Sequence, residues 1–196
     1  MKRTLALAAL LVCLSPLAGC RPRDASEVKG SAFTSTHEIN NQNRRQEPAT
    51  TSPLPDPKGF VNDFAGVLDA DAKESLESKL REFKERDDVE MAVAVVETTG
   101  DQPIFDYSLA VARGWGIGRS PAGDGALLFI AIKDRKWQIQ ISRSLEKVLS
   151  DDEIKQIGSL MSAPFKEARY GEGVTKCVDA FISALENKRR LPRESR

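Results

Sequence analysis

The chain has 196 residues, the size of one ordinary domain, and its 29 basic and 29 acidic side chains cancel. That balance leaves no global field to attract nucleic acid or an anionic substrate. A single histidine, His37, isolated in a low-complexity stretch, argues against histidine-dependent catalysis and against a His/Cys zinc site.

Residues 1–20, MKRTLALAALLVCLSPLAGC, combine a basic start, an apolar run too short for an ordinary spanning helix, and small residues before a cysteine. This is the pattern of an export signal. Leu17-Ala18-Gly19-Cys20 resembles the bacterial lipobox. That resemblance implies that Cys20 becomes the lipidated first residue of the mature protein, tethered to a membrane rather than spanning it. Arg21 stands where an aspartate would resemble an inner-membrane retention signal, so a Gram-negative host is expected to deliver the protein to the periplasmic side of the outer membrane. With Cys13 removed and Cys20 acylated, Cys177 is left without a disulfide partner and falls in an apolar helical pattern as a core thiol.

Residues 21–58 are polar, lack apolar periodicity and end in Pro48, Pro53, Pro55 and Pro57. They read as a disordered tether, whose ends would stand on the order of 35 Å apart. The globular part is expected over residues 59–187, followed by a basic tail at 188–196 that reads as a solvated, frayed terminus. Asp71-Ala72-Lys73-Glu74 reads as a capping box, and Ala72, Leu76, Leu80 and Phe83 then share one face of a helix ending near Arg86. Val89–Glu97 and Ala126–Ile132 are apolar throughout at strand length, as strands covered on both faces are. Between them Asp101 and Pro103 open a helix carrying Ile104, Tyr107, Val111 and Trp115, and a right-handed crossover makes the two strands parallel.

Lys136–Ser142 alternates, with Trp137, Ile139 and Ile141 on one face, and predicts a half-exposed antiparallel strand. Ser150-Asp151-Asp152-Glu153 is a second capping box, opening a helix with Ile154, Ile157, Leu160 and Met161. The glycines in Tyr170-Gly171-Glu172-Gly173 read as a break, before a last helix buries Val174, Val178, Phe181 and Leu185. The sum is an α/β domain of three layers, a small mixed sheet flanked by helices, with no organic cofactor expected.

Lys133-Asp134-Arg135-Lys136 joins two strands without the glycine that short hairpin turns prefer. A charged, solvated tip explains this, and so does a site, because the turn follows the carboxyl end of a parallel strand where open α/β sheets place ligands. Asp63, in the loop Val61-Asn62-Asp63-Phe64-Ala65, and Thr98 and Thr99 are expected at the same edge. Asp63 and Asp134 are therefore the candidate metal ligands. Oxygen-only donors suit calcium or magnesium, although Asp63 reads equally well as a turn residue bonding its own backbone.

Val61-Asn62-Asp63-Phe64-Ala65-Gly66-Val67-Leu68, Trp115-Gly116-Ile117-Gly118, Gly125–Ala131, Asp134-Arg135-Lys136 and Pro164-Phe165 with Tyr170–Gly173 together resemble the successive signatures of the TPM domain family. That family takes in thylakoid-lumen acid phosphatases, photosystem II repair proteins, a receptor modulator and bacterial envelope proteins. The resemblance implies a Rossmann-like sandwich outside the cytoplasm, divalent metal in some members and weak acid phosphatase activity in plant members. It carries over Asp63, Asp134 and Arg135 as candidate site residues, catalytic if the domain is an enzyme. Many relatives have Gly-x-Gly-Leu-Glu after the third strand, where this chain has Ser142-Arg143-Ser144-Leu145-Glu146. Many bacterial relatives also carry a spanning helix after the domain, an anchor that the lipid at Cys20 is expected to supply here.

Two functions follow as expectations. The first is a lipid-anchored envelope module that binds a protein partner in a membrane or periplasmic complex. The alternative is a weak metal-assisted acid phosphatase, with Asp63 and Asp134 holding the ion and Arg135 stabilising phosphate charge. No nucleophile motif, Cys-x5-Arg loop or Walker glycine loop supports the second.

Overall fold

In the computed structural model, residues 51–119 and 123–194 are described. The export signal, Cys20, His37 and most of the expected tether lie outside the described residues. Val61–Asp63 (β1), Glu90–Val96 (β2), Gly125–Ala131 (β3) and Lys136–Ile141 (β4) form one sheet in that order. The first three strands are parallel and β4 runs antiparallel to β3, with Val93 opposite Leu128 and Leu128 opposite Ile139. Among the described residues five α-helices accompany them, Ala70–Asp87 (α1), Ile104–Trp115 (α2), Asp151–Ser159 (α3), Ser162–Lys166 (α4) and Tyr170–Glu194 (α5), with a single 3-10 turn at Leu145–Lys147.

The alternation along β2 and β3 feeds two cores. Val93, Val95, Leu128 and Ile130 join Leu76, Leu80 and Phe83 of α1 and Val178 and Phe181 of α5. Ala92, Ala94, Leu127 and Phe129 face the other way, onto Val111 and Ala112 of α2. Strands with apolar residues on both faces need helices on both faces, which is the three-layer arrangement that their composition implies. Each fully buried Leu or Phe of α1 contributes roughly 2 kcal/mol of transfer free energy, so packing rather than propensity holds that helix in place. Among the described residues no helix is long and apolar enough to cross a membrane.

Several boundaries differ from the sequence reading. The cap of α1 is Asp69, whose Oδ1 accepts from the Ala72 N–H at 2.7 Å, so the capping box expected at Asp71 does not form. The box at Ser150 does form, with Glu153 accepting from the Ser150 N–H at 2.9 Å. Gly171 and Gly173 do not break a helix; both lie inside α5. A Cβ at Gly171 would meet the Cβ of Ala72 at 2.7 Å, and one at Gly173 would meet the Phe165 ring at 2.5 Å, so these glycines allow close packing. The break falls just before α5, where Ala168 is left-handed (φ 55°).

The two ends of the domain extend further than expected. Rather than fraying at residue 188, α5 continues to Glu194. Lys188 pairs with Glu153 at 2.9 Å, and Arg189 reaches Asp124 at 2.5 Å and the Asp87 carbonyl at 3.1 Å. At the other end, Leu54 packs against α2, the Trp115 Nε1–H donates to the Pro55 carbonyl at 2.9 Å, and Ser52 lies directly over Gly114. The last proline-rich piece of the expected tether is thus strapped to the domain.

Candidate functional site

The β3–β4 connection is a four-residue loop, residues 132–135, closed by the Arg135 N–H donating to the Ile132 carbonyl at 3.2 Å. Arg135 is left-handed at φ 52°, a conformation that glycine adopts freely and an arginine does not. The neighbouring Asp134 turns away and clamps the loop after β2. Its Oδ2 accepts from the Thr99 N–H at 2.9 Å and its Oδ1 from the Thr98 hydroxyl at 2.7 Å, with the Thr99 hydroxyl adding a contact at 3.2 Å. The Thr99 N–H foremost, then the Thr98 hydroxyl, hold the Asp134 carboxyl below the usual range, and the field of Lys136 adds to this.

Asp63 closes β1. Its Oδ1 accepts from the N–H groups of Ala65 and Gly66 at 3.1 and 2.8 Å, and its Oδ2 from that of Leu68 at 2.8 Å. This is the local turn role, in which a short carboxylate replaces backbone acceptors. Both aspartates therefore lie at the carboxyl edge of the parallel strands, but no hydrogen bond joins them among the described residues, and each serves its own loop. Asp63 accepts three hydrogen bonds of about four it can take, whereas Asp134 accepts two firm ones, because the single Thr99 hydroxyl proton has a shorter acceptor in the Gln102 carbonyl at 2.9 Å. Among the described residues no three His, Cys, Asp or Glu side chains cluster as a metal site.

Arg135 turns to a cavity of about 540 Å³ between the β3–β4 loop and α4. Its floor includes Ile130 and Met161, both essentially inaccessible to solvent. Trp137, Phe165 and Tyr170 stand half-buried around it, the last two in edge contact with ring centroids 5.2 Å apart. Arg135, Lys136 and Lys166 reach it from the exposed rim, and none of the three makes an ion pair among the described residues. Glu167, beside Lys166 in sequence, is engaged by Arg169 at 2.7 Å. Ser162 also lines the cavity, with no hydrogen bond to a base among the described residues.

Sequence reading placed Asp134 with Thr98 and Thr99, because a turn without its expected glycine at the carboxyl end of a parallel strand is visible locally, and it singled out Arg135 through the family resemblance. It missed Lys166 and Met161 as lining groups, for they carry no local irregularity, and gave Lys136, although part of the charged turn, no role of its own. Phe165 and Tyr170 belonged to the quoted family segments without an assigned role. The variant loop Ser142–Glu146 sits at the opposite end of β3: the Ser142 hydroxyl accepts from the Gly125 N–H at 3.1 Å and the Ser144 hydroxyl donates to the Gly123 carbonyl at 2.9 Å. Its serines thus pin the strand's start, far along β3 from the cavity. Cys177 is buried, and burial pushes its thiol up to about 12, as an inert core residue requires.

The architecture recurs in solved bacterial proteins. The N-terminal domain of a protein from P. gingivalis is 30% identical over 65% of this chain and 82% of that one, with a TM-score of 0.60. The BA42 protein of Bizionia argentinensis is 19% identical over 64% and 86% of the two chains (TM-score 0.57). The N-terminal domain of the cg2496 protein from Corynebacterium glutamicum is 13% identical over 67% and 84% (TM-score 0.51), and like BA42 it shares the fold. No curated protein matches the chain. A family model of the TPM domain matches residues 61–184, well over half of the sequence and nearly all of the sheet and helices described above, and the chain belongs to the TPM domain family.

Proposed function

We propose that this protein is a lipid-anchored binding module of the bacterial cell envelope, held at a membrane by acylated Cys20 and presenting its TPM domain to a protein partner in a membrane or periplasmic complex. The observation that carries this reading is the cavity beside Arg135. It offers an apolar floor and three rim cations, with the Ser162 and Tyr170 side chains and no carboxylate, histidine or cysteine among the described residues that line it. A tethered domain with such a surface raises the local concentration of a membrane-proximal partner without any new contact. A calcium or magnesium ion held near Asp63 or Asp134 belongs to the same proposal. It would steady the loops at the sheet edge with oxygen donors.

The test is crosslinking in intact envelopes followed by recovery of the tagged chain. A partner recovered by the wild-type chain, absent with a tether-only control and lost when Cys20→Ser abolishes lipid labelling, supports the proposal. Recovery of nothing above the control refutes it. The phosphatase alternative makes a different demand: metal-dependent hydrolysis of p-nitrophenyl phosphate that disappears in Asp63→Ala with Asp134→Ala.

A further inference from the structure

We infer that the cavity between the β3–β4 loop and α4 binds a small organic anion, a carboxylate or sulfonate carried on an aromatic or branched apolar body. The inference rests on the reading of the domain as a binding module and names the ligand chemistry of that site. Three observations converge on it. At about 540 Å³ the cavity falls within the range of small-molecule sites, and its floor of Met161 and Ile130 with walls of Trp137 and Phe165 asks for an apolar occupant. Its rim is cationic: Arg135, Lys136 and Lys166 lie there without an ion pair among the described residues, while the nearby carboxylates of Asp134 and Glu167 are held by Thr98, Thr99 and Arg169.

The third observation is conformational. Two lining residues, Arg135 and Ala168, are left-handed at φ 52° and 55°, where glycine would be free of strain. A glycine at 135 would relax the turn but remove the guanidinium, whose planar fork suits a carboxylate with two parallel hydrogen bonds. Retained strain at a cavity rim is what a turn selected for its side chain looks like. Ala168 ends α4 in the geometry of a helix C-cap, with the Arg169 N–H donating to the Pro164 carbonyl at 2.9 Å and the Ala168 N–H to that of Phe165 at 3.2 Å. That stop keeps Lys166 and Phe165 at the mouth. The apolar body would lie against the Trp137 and Phe165 rings, and the charged group would meet Arg135 and Lys166.

The experiment is a fluorescence titration of the purified chain with 8-anilinonaphthalene-1-sulfonate, an aromatic anion. It is done in the Trp115→Phe background, so that the other of the two tryptophans, Trp137, is the reporter. Saturable quenching of Trp137 at one site is expected. Arg135→Gly, which relieves the backbone, should keep the melting transition and weaken binding about tenfold, the effect of one charge-assisted contact. Lys166→Gln should also weaken it. The uncharged analogue N-phenyl-1-naphthylamine should bind at least about tenfold more weakly, and millimolar inorganic phosphate should not displace the probe.

Equal affinity in Arg135→Gly and Lys166→Gln, equal binding of the neutral analogue, or displacement by phosphate alone would each overturn the inference. Competition assigns the source: 3-phenylpropionate outcompeting the peptide Ala-Ala-Phe indicates a free acid, the reverse order indicates a chain end, and displacement by neither overturns the site. Failure here with partner recovery intact removes only the anion site. Hydrolytic turnover would remove the binding reading beneath it.

Discussion

Gly158 lies within α3, where helix propensity alone says that alanine should stabilise the protein by about 1 kcal/mol. The packing says the opposite. A Cβ at Gly158 would stand 2.1 Å from Cζ3, 2.2 Å from Cη2 and 2.6 Å from Cε3 of Trp137, so the indole must move by more than an ångström. Overpacking of that kind costs about 1–3 kcal/mol, which outweighs the propensity gain and leaves a net loss of about 1 kcal/mol. For a domain of this size that is a fall in Tm of roughly 3 °C. The assay is thermal and urea unfolding of Gly158→Ala, alone and with Trp137→Leu, which removes the ring. In the Trp137→Leu background the same alanine should stabilise, giving a coupling of about 2 kcal/mol between the two positions. A Gly158→Ala protein that melts two or more degrees higher than wild type, with Trp137 emission unchanged, would refute the reasoning and show that propensity governs α3.

Three further outcomes are expected. The Ser150 N–H, with Lys188 and the Ser150 hydroxyl, holds Glu153 down from 4.5 to about 2. Its contribution is therefore present above the unfolded value and lost as pH falls between about 4.5 and 2, so the Tm gap between wild type and Glu153→Gln should be constant above about pH 5 and close below it. Cys177, buried and pushed up to about 12, should resist iodoacetamide at pH 8 in the folded chain and react fully in urea; rapid native alkylation would contradict its burial. A Cβ from Gly114→Ala would meet Ser52 atoms at 2.5–2.6 Å. The strap should therefore lift off, shifting Trp115 emission to the red in a Trp137→Phe background while the global Tm moves by no more than about 2 °C.

The site was legible where the chain broke a local rule, set a short carboxylate beside a loop, or matched a family segment. Arg135 stands in a turn that short-range chemistry would fill with glycine, and Asp134 and Asp63 are short carboxylates beside loops, the usual place for side chain to backbone bonds. Nothing local distinguishes Lys166 from any other lysine on a helix, and its meeting with Trp137 depends on where α3 and α4 carry the chain. The glycines at 171 and 173 misled for the mirror-image reason. Low helix propensity reads as a break, yet Ala72 and Phe165 need the space that a side chain would fill.

The sequence by itself determined the three-layer α/β class, the parallel pairing of β2 with β3, the antiparallel β4 and the Ser150 capping box. Each of these follows from periodicity, crossover handedness or a hydrogen bond within one turn of helix, all of which act over a few residues or one connection. Tertiary structure alone decided that residues 52–55 strap across α2, that α5 runs on past residue 188, and that rings and cations from β4, α4 and the start of α5 enclose one cavity. Those outcomes depend on which surfaces meet once the layers close. Contact between residues distant in the chain is selected by shape and burial and leaves no mark in the local pattern.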